Sequence, residues 1–168
     1  MTLPRGLRTR LLYLALSAFL FSLDRVTKTW VVDRISLHES VSVVEGFFHL
    51  THITNTGALF GLMAGLSSPL RGLIFITVPV LAITLIFLFQ FHARENDFLA
   101  QVGLSMILGG ALGNLWDRVF LGHVIDFLDF SVAGFHWPAF NIADSCICLG
   151  VVSLILDLLW RERRVVPS

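Results

Sequence analysis

Apolar positions gather into four long stretches, at about 11–32, 70–91, 98–116 and 139–160, each near the ~20 residues that a helix needs to cross a bilayer. The pattern predicts an all-α membrane protein with four transmembrane helices, forming one integral membrane domain over residues 1–168. Longer polar segments, at about 33–69 and 117–138, fall on one side, and a short connection near 91–97 falls on the other. In the first of them, Ser40–Val44 and residues 47–53 are rich in β-branched and aromatic residues and are separated by Glu45-Gly46. A small hairpin lying on the membrane surface between helices 1 and 2 is therefore expected.

Charge sets an orientation. Arg5, Arg8 and Arg10 precede the first stretch, Arg161, Arg163 and Arg164 close the last, and Arg94 lies in the short connection, so this side is expected to be cytoplasmic. Arg34, Arg71 and Arg118 on the other side make the bias moderate. The N-terminal stretch opens like a secretory signal, but no small-x-small cleavage site follows it and three more spans do, so a retained signal anchor is expected.

Composition agrees with this picture: 55% of residues are hydrophobic and 14% charged, and mean hydropathy is +0.80, far from an ordinary soluble domain. Twelve basic and twelve acidic residues leave no net charge and no basic stripe, so nucleic acid is not an expected partner. Cys146 and Cys148 are two apart on a helix and face different ways, which suits neither a mutual disulfide nor a paired metal site.

Against this background the informative residues are the polar ones that lipid should exclude. Asp24 and Lys28 share a helix face at i, i+4 and read first as a structural ion pair. Asn55-Thr56-Gly57 favours a turn, with Gly57 free to take positive φ, yet it runs into an apolar stretch at the membrane surface, where Asn55 could equally contact substrate. Gly109 and Gly113 form a small-x-x-x-small pair for close helix approach, and Asn114, Asp117 and Arg118 follow on the same helix as a candidate buried polar network.

Asp126 and Asp144 stand in some of the most apolar sequence of the chain. A carboxylate at the centre of a spanning helix opposes insertion by roughly 2.5–3.5 kcal/mol, so each is a functional candidate. The loop between them, with Gly134 and Pro138, can fold Asp126 back against Asp144 near the start of the fourth span, where Asn141 at i−3 can orient what Asp144 binds. Two carboxyls that share one proton can activate water and protonate a carbonyl. The same acids would also suit a proton- or ion-coupled transporter or channel. Spacing alone does not rank Asp126 above Asp129. His123 borders Asp126, and Asp157 with Arg161 reads as an i, i+4 surface pair.

Other chemistries have less support. His-Glu-x-x-His, Gly-x-Ser-x-Gly and a phosphate-binding glycine loop do not occur, and His49 and His52, three apart in an expected strand, point to opposite faces.

Five blocks in order resemble the signal peptidase II family of bacterial membrane aspartyl peptidases. They are Asp24-x-x-Thr27-Lys28, Asn55-Thr56-Gly57-Ala58, Gly109-Gly110-x-x-Gly113-Asn114-x-x-Asp117-Arg118, Gly122-His123-Val124-x-Asp126-Phe127 and Phe140-Asn141-x-Ala143-Asp144. The resemblance implies that Asp126 and Asp144 are catalytic, that Asn55, Gly57, Asn114, Arg118 and Asn141 line the site, and that Asp24, Lys28 and Asp117 support it. It implies an inner-membrane endopeptidase that cuts a diacylglyceryl-modified prolipoprotein just before the lipidated cysteine, with membrane lipids around it and no metal or organic cofactor. Both termini would be cytoplasmic, the active site would face outward, and a monomer is expected. Leu59 stands where a smaller residue is usual, which bears on lipid contact. The resemblance favours Asp126 over Asp129.

Overall fold

The computed structural model describes residues 5–57, 68–92 and 97–165. Ala58, Leu59 and Arg94 lie outside them. Four helices carry the apolar stretches: α1 (Arg5–Arg34), α2 (Ser68–His92), α3 (Phe98–Phe120) and α4 (Ile142–Val165). All four are long and apolar enough to cross a membrane. Within its most apolar window α3 is 50% buried and α2 is 0% buried, which makes α3 the central helix. It packs against each of the other three. The outer faces of α2 and α4 expose large apolar side chains such as Leu81, Phe89, Leu149 and Leu158, as a lipid-facing bundle requires.

Glycines let α3 approach its neighbours. A Cβ on Gly109 would stand 2.7 Å from the Ser17 carbonyl oxygen of α1, and one on Gly110 would stand 2.3 Å from the Ala143 carbonyl oxygen of α4. At Gly113 the obstacle would be the Asp24 carboxylate of α1, 2.5 Å away. Gly109 and Gly113 thus both face α1, as their spacing suggested.

The expected hairpin is present as β1 (Ser40–Val44) and β2 (Phe48–Asn55), but it is only half of the sheet. β3 (Val124–Val132) and β4 (Phe135–His136) complete an antiparallel order β1-β2-β3-β4. Asp126 therefore sits on a strand and not in a loop. Its segment alternates poorly because Val124, Ile125, Asp126 and Phe127 are all buried, so the period-2 signal of a half-exposed strand is missing. A bulge in β2 between Leu50 and Ile53 sets the register that places Ile53 opposite Asp126 and Asn55 opposite Val124. Phe127 locks the sheet onto the end of α1 by packing with Val31 and Ile35.

Ala133 and Gly134, both at positive φ, turn β3 into β4. The chain then returns along β3: the Phe140 carbonyl oxygen accepts from the N–H groups of Phe127 (3.0 Å) and Leu128 (2.8 Å), and Phe140 N–H donates to the Leu128 carbonyl at 3.1 Å. This backbone zipper brings Asn141, and α4 behind it, beside Asp126. The fourth helix begins at Ile142, later than the apolar stretch, so Asn141 precedes the helix and Asp144 lies in its first turn.

Candidate active site

Three asparagines from three parts of the chain meet the two aspartates. Asn55 at the end of β2 donates through Nδ2 to Asp126 Oδ2 at 3.0 Å, and Asn141 donates to Asp126 Oδ1 at 2.7 Å. Asn114 on α3 donates to Asp144 Oδ1 at 2.7 Å. Asn141 Nδ2 also lies 3.2 Å from Asn114 Oδ1, which joins the two halves.

Each amide is turned by what binds its oxygen. Asn55 Oδ1 accepts the Gly57 N–H at 2.8 Å, an Asx turn that requires the positive φ of Gly57 (+82°). A Cβ at Gly57 would also meet the Phe75 ring at 2.4 Å. Asn141 Oδ1 accepts the Asp144 N–H at 3.0 Å, and Asn114 Oδ1 accepts from Lys28 Nζ at 2.9 Å. With every oxygen engaged by a donor, each NH2 is left to face a carboxylate.

Asn141 and Asp144 also cap α4. The Asn141 side chain bonds the N–H of Asp144, and Asp144 Oδ2 accepts the N–H of Asn141 at 3.2 Å, the reciprocal arrangement of a capping box. Asp24 Oδ1, reaching from α1, accepts the Ala143 N–H at 2.9 Å. The N–H groups of Ala143 and Asp144, two of the orphan donors of the helix start, are thereby used, and the positive end of the helix dipole lies under the Asp144 carboxylate.

Below the acids lies a buried ion cluster. Lys28, Asp24 and Asp117 are each 0% exposed. Lys28 Nζ donates to Asn114 Oδ1 (2.9 Å) and forms ion pairs with Asp24 Oδ2 (2.9 Å) and Asp117 Oδ2 (2.8 Å). Arg25 pairs with the other oxygen of Asp117, so two cations balance two carboxylates. Asp117 Oδ2 also accepts the Ile125 N–H at 3.3 Å, tying the cluster to the strand that bears Asp126. Sequence reading grouped Asp24 with Lys28 but missed Arg25, whose position one residue after Asp24 gave no sign of its partner 92 residues away.

Burial is the main cause that pushes the Asp126 carboxyl up to about 6, and the neighbouring Asp144 charge adds to it, while the Asn55 and Asn141 amides oppose it. Asp144 is half-buried. Arg118 is half-buried too, with its guanidinium 5.5 Å from the centre of the Phe75 ring and within electrostatic reach of both Asp144 and Asp126. Together with Asn55, Gly72, Phe75 and Ile76 it lines a cavity of about 290 Å³ beside the acids.

The rival acid is elsewhere. Asp129 is three residues from Asp126 on one strand, so it takes the opposite face, where its carboxylate meets His136 Nδ1 at 2.9 Å. His52 is buried with Nδ1 2.8 Å from the Ile35 carbonyl oxygen, a structural contact. Cys146 is buried and Cys148 exposed, both free. Asp157 and Arg161 do form the i, i+4 pair, with Nε to Oδ2 at 2.7 Å.

Comparison with known proteins gives a consistent result. A family model described as Signal peptidase (SPase) II matches residues 16–160. The lipoprotein signal peptidase of Syntrophus aciditrophicus (strain SB) is 42% identical, covering 92% of this chain and 96% of that protein. That of Geobacter sulfurreducens is 44% identical over 86% of this chain and 89% of its own. A solved bacterial membrane enzyme superimposes with a TM-score of 0.80 at 30% identity, covering 93% of this chain and 92% of that one.

Proposed function

Because the chain belongs to the signal peptidase II family and is thus a membrane peptidase acting on prolipoproteins, we propose that Asp126 and Asp144 are its catalytic pair and that the whole chain is one peptidase domain. The observation that carries this reading is the amide bridge: Asn141 and Asn114 connect the two carboxyls while Asn55 holds the far side of Asp126.

In this reading the scissile peptide enters between the acids, with its flanking residues in the cavity by Arg118 and Phe75. Asp126, buried and pushed up to about 6, carries the shared proton. Asp144, at a helix start and held by Asn114, takes a proton from water, which attacks the carbonyl carbon. Asp126 gives its proton to the carbonyl oxygen, and Arg118 supports the charge that develops there. Collapse of the tetrahedral gem-diol breaks the C–N bond: the proton held by Asp144 passes to the leaving amine of the lipidated cysteine, and one hydroxyl returns its proton to Asp126 as the carboxylic acid forms. Diacylglycerol chains beside the helices add binding energy remote from the reacting bond.

We further read the active-site end of the bundle as facing outward, both termini as cytoplasmic in the bacterial inner membrane, and the working unit as a monomer surrounded by lipid. The arginine clusters at both ends of the chain support the orientation. No comparison favours the transporter reading. The test is a cleavage assay in detergent on a diacylglyceryl-modified precursor and its unlipidated form, run beside a proton-flux measurement in proteoliposomes. Cleavage of the lipidated form alone, without flux, is expected. Flux that depends on Asp126, with no cleavage, would contradict the proposal.

A further inference from the structure

α2 turns most of its surface to lipid, and Gln90 is its only buried residue among those described. At the active-site end, Gly72, Phe75 and Ile76 fall at i, i+3 and i+4, so one face of the helix meets the cavity beside the acids. Phe75 touches two other parts of the site. Its ring lies against Gly57, where a Cβ would stand 2.4 Å away, and the central carbon of the Arg118 guanidinium is 5.5 Å from the ring centre. Gly57 belongs to the turn that aims Asn55 at Asp126, so the ring is seated between that turn and the cation. Its own helix fixes it less firmly: Pro79, four residues on, offers no N–H to the Phe75 carbonyl, and the turn that carries the ring lacks one hydrogen bond.

Arg118 stands in the opposite situation. It is half-buried and within electrostatic reach of Asp144, Asp126 and Asp117, yet among the described residues it forms no hydrogen bond and no ion pair. Each oxygen of those three acids has another donor. Asp117 is taken by Arg25 and Lys28, Asp126 by Asn55 and Asn141, and Asp144 by Asn114 and the Asn141 N–H. A long side chain with five N–H donors and no partner has many rotamers open to it. An aromatic face restrains such a cation by attraction while leaving its charge in place, whereas a carboxylate would neutralise it and occupy its donors.

We propose that Phe75 is a positioning residue for the reaction: its ring, seated on Gly57, holds the Arg118 guanidinium at the cavity with charge and donors free for the oxygen of the scissile carbonyl. The proposal rests on the peptidase reading above and on the part given there to Arg118. It accounts for an aromatic ring beside the acids on the least buried helix of the bundle. Since the charge on that oxygen develops only as water attacks, loss of the restraint falls on kcat and leaves KM nearly unchanged.

The test replaces Phe75 in the full-length enzyme with mono-, di- and trifluorinated phenylalanine, which weaken the negative ring face stepwise at almost constant volume. For cleavage of a diacylglyceryl-modified precursor in detergent, kcat is expected to fall with each fluorine, by about 3- to 30-fold over the series, with KM within about twofold. In Arg118→Gln the same series is expected to be flat. Phe75→Tyr, which keeps an aromatic face, is expected to stay within about twofold of wild type, and Phe75→Leu to match the trifluorinated enzyme. A flat series with Arg118 present, a slope of equal size in Arg118→Gln, or an effect carried by KM alone would each overturn the proposal. The fluorinated enzymes keep the shape of the ring, so the comparison does not depend on a variant that fails to fold. A flat series with full cleavage would leave the peptidase reading intact, whereas no cleavage by the wild type would remove that reading and this proposal with it.

Discussion

Lys28→Met separates what the buried cation does for the fold from what it does for the reaction. Methionine fills a similar volume but has no proton to donate, so three contacts vanish together: those to Asp24, Asp117 and Asn114. Asp24 and Asp117 then keep only Arg25 between them. Removing one partner from a buried ion cluster costs roughly 3–5 kcal/mol, so a clear fall in unfolding temperature is expected. The loss at Asn114 is of another kind. Its oxygen keeps one donor, Asn141, and its amide is less firmly committed to Asp144. A hydrogen bond to a charged donor contributes about 1.5–3 kcal/mol, which corresponds to roughly 10- to 100-fold in kcat/KM. Asp24→Asn/Lys28→Met restores charge balance, because Arg25 and Asp117 remain paired and the residue 24 side chain keeps a carbonyl for the Ala143 N–H. It is expected to recover most of the stability and none of the lost activity. The assay is cleavage of lipidated precursor at a temperature where each variant is folded, beside thermal unfolding of the same samples. Full activity in Lys28→Met, or recovery of activity together with stability in the double variant, would refute the role assigned to the lysine.

The remaining predictions address the amide at Asp126, the glycine under Asp24 and the rival acid. Asp126 must be protonated to act as acid, so kcat/KM is expected to fall with rising pH above about 6. Asn55→Ala removes a donor that favours the ionised form, which raises the Asp126 pKa further and moves this alkaline limb to higher pH; an unmoved limb or a shift to lower pH in the pH–rate profile speaks against the assignment. In an open helical position Gly113→Ala would stabilise by about 1 kcal/mol, but here its Cβ displaces the Asp24 carboxylate, so a net loss of about 2–4 kcal/mol in detergent unfolding is expected. Asp129→Asn changes only a contact to His136 on the far face of the strand and is expected to leave cleavage within about twofold of wild type; a large loss would reopen the choice between the two acids.

The four helices were legible because an apolar stretch long enough to span a bilayer has few alternatives. Helix starts were less so: the residues just before Ile142 are apolar enough to extend the span, yet Phe140 is zipped to Leu128 and Asn141 is a cap. The second half of the sheet was missed because β3 is buried along its first four residues and shows no alternation. The polar residues of the site were visible singly, since each is costly in lipid. Their connections were not, because Asn55 to Asp126 and Lys28 to Asn114 bridge 71 and 86 positions of sequence. Only the i, i+4 ion pair and the i, i+3 cap follow from spacing. Asp126 over Asp129 was decided by family resemblance, and the strand supplies a physical reason: one face of β3 meets the asparagines and the other meets His136.

In the proposed mechanism Asp126 and Asp144 do the chemistry while the surrounding amides hold them. It is tested most directly by single-turnover cleavage of a diacylglyceryl-modified precursor by Asp126→Asn and Asp144→Asn, with binding of the same precursor and thermal unfolding measured in parallel. Each variant is expected to fold and to bind precursor within a few-fold of wild type, yet to cleave it at least about 10³-fold more slowly. Cleavage at a near wild-type rate by either variant would contradict it.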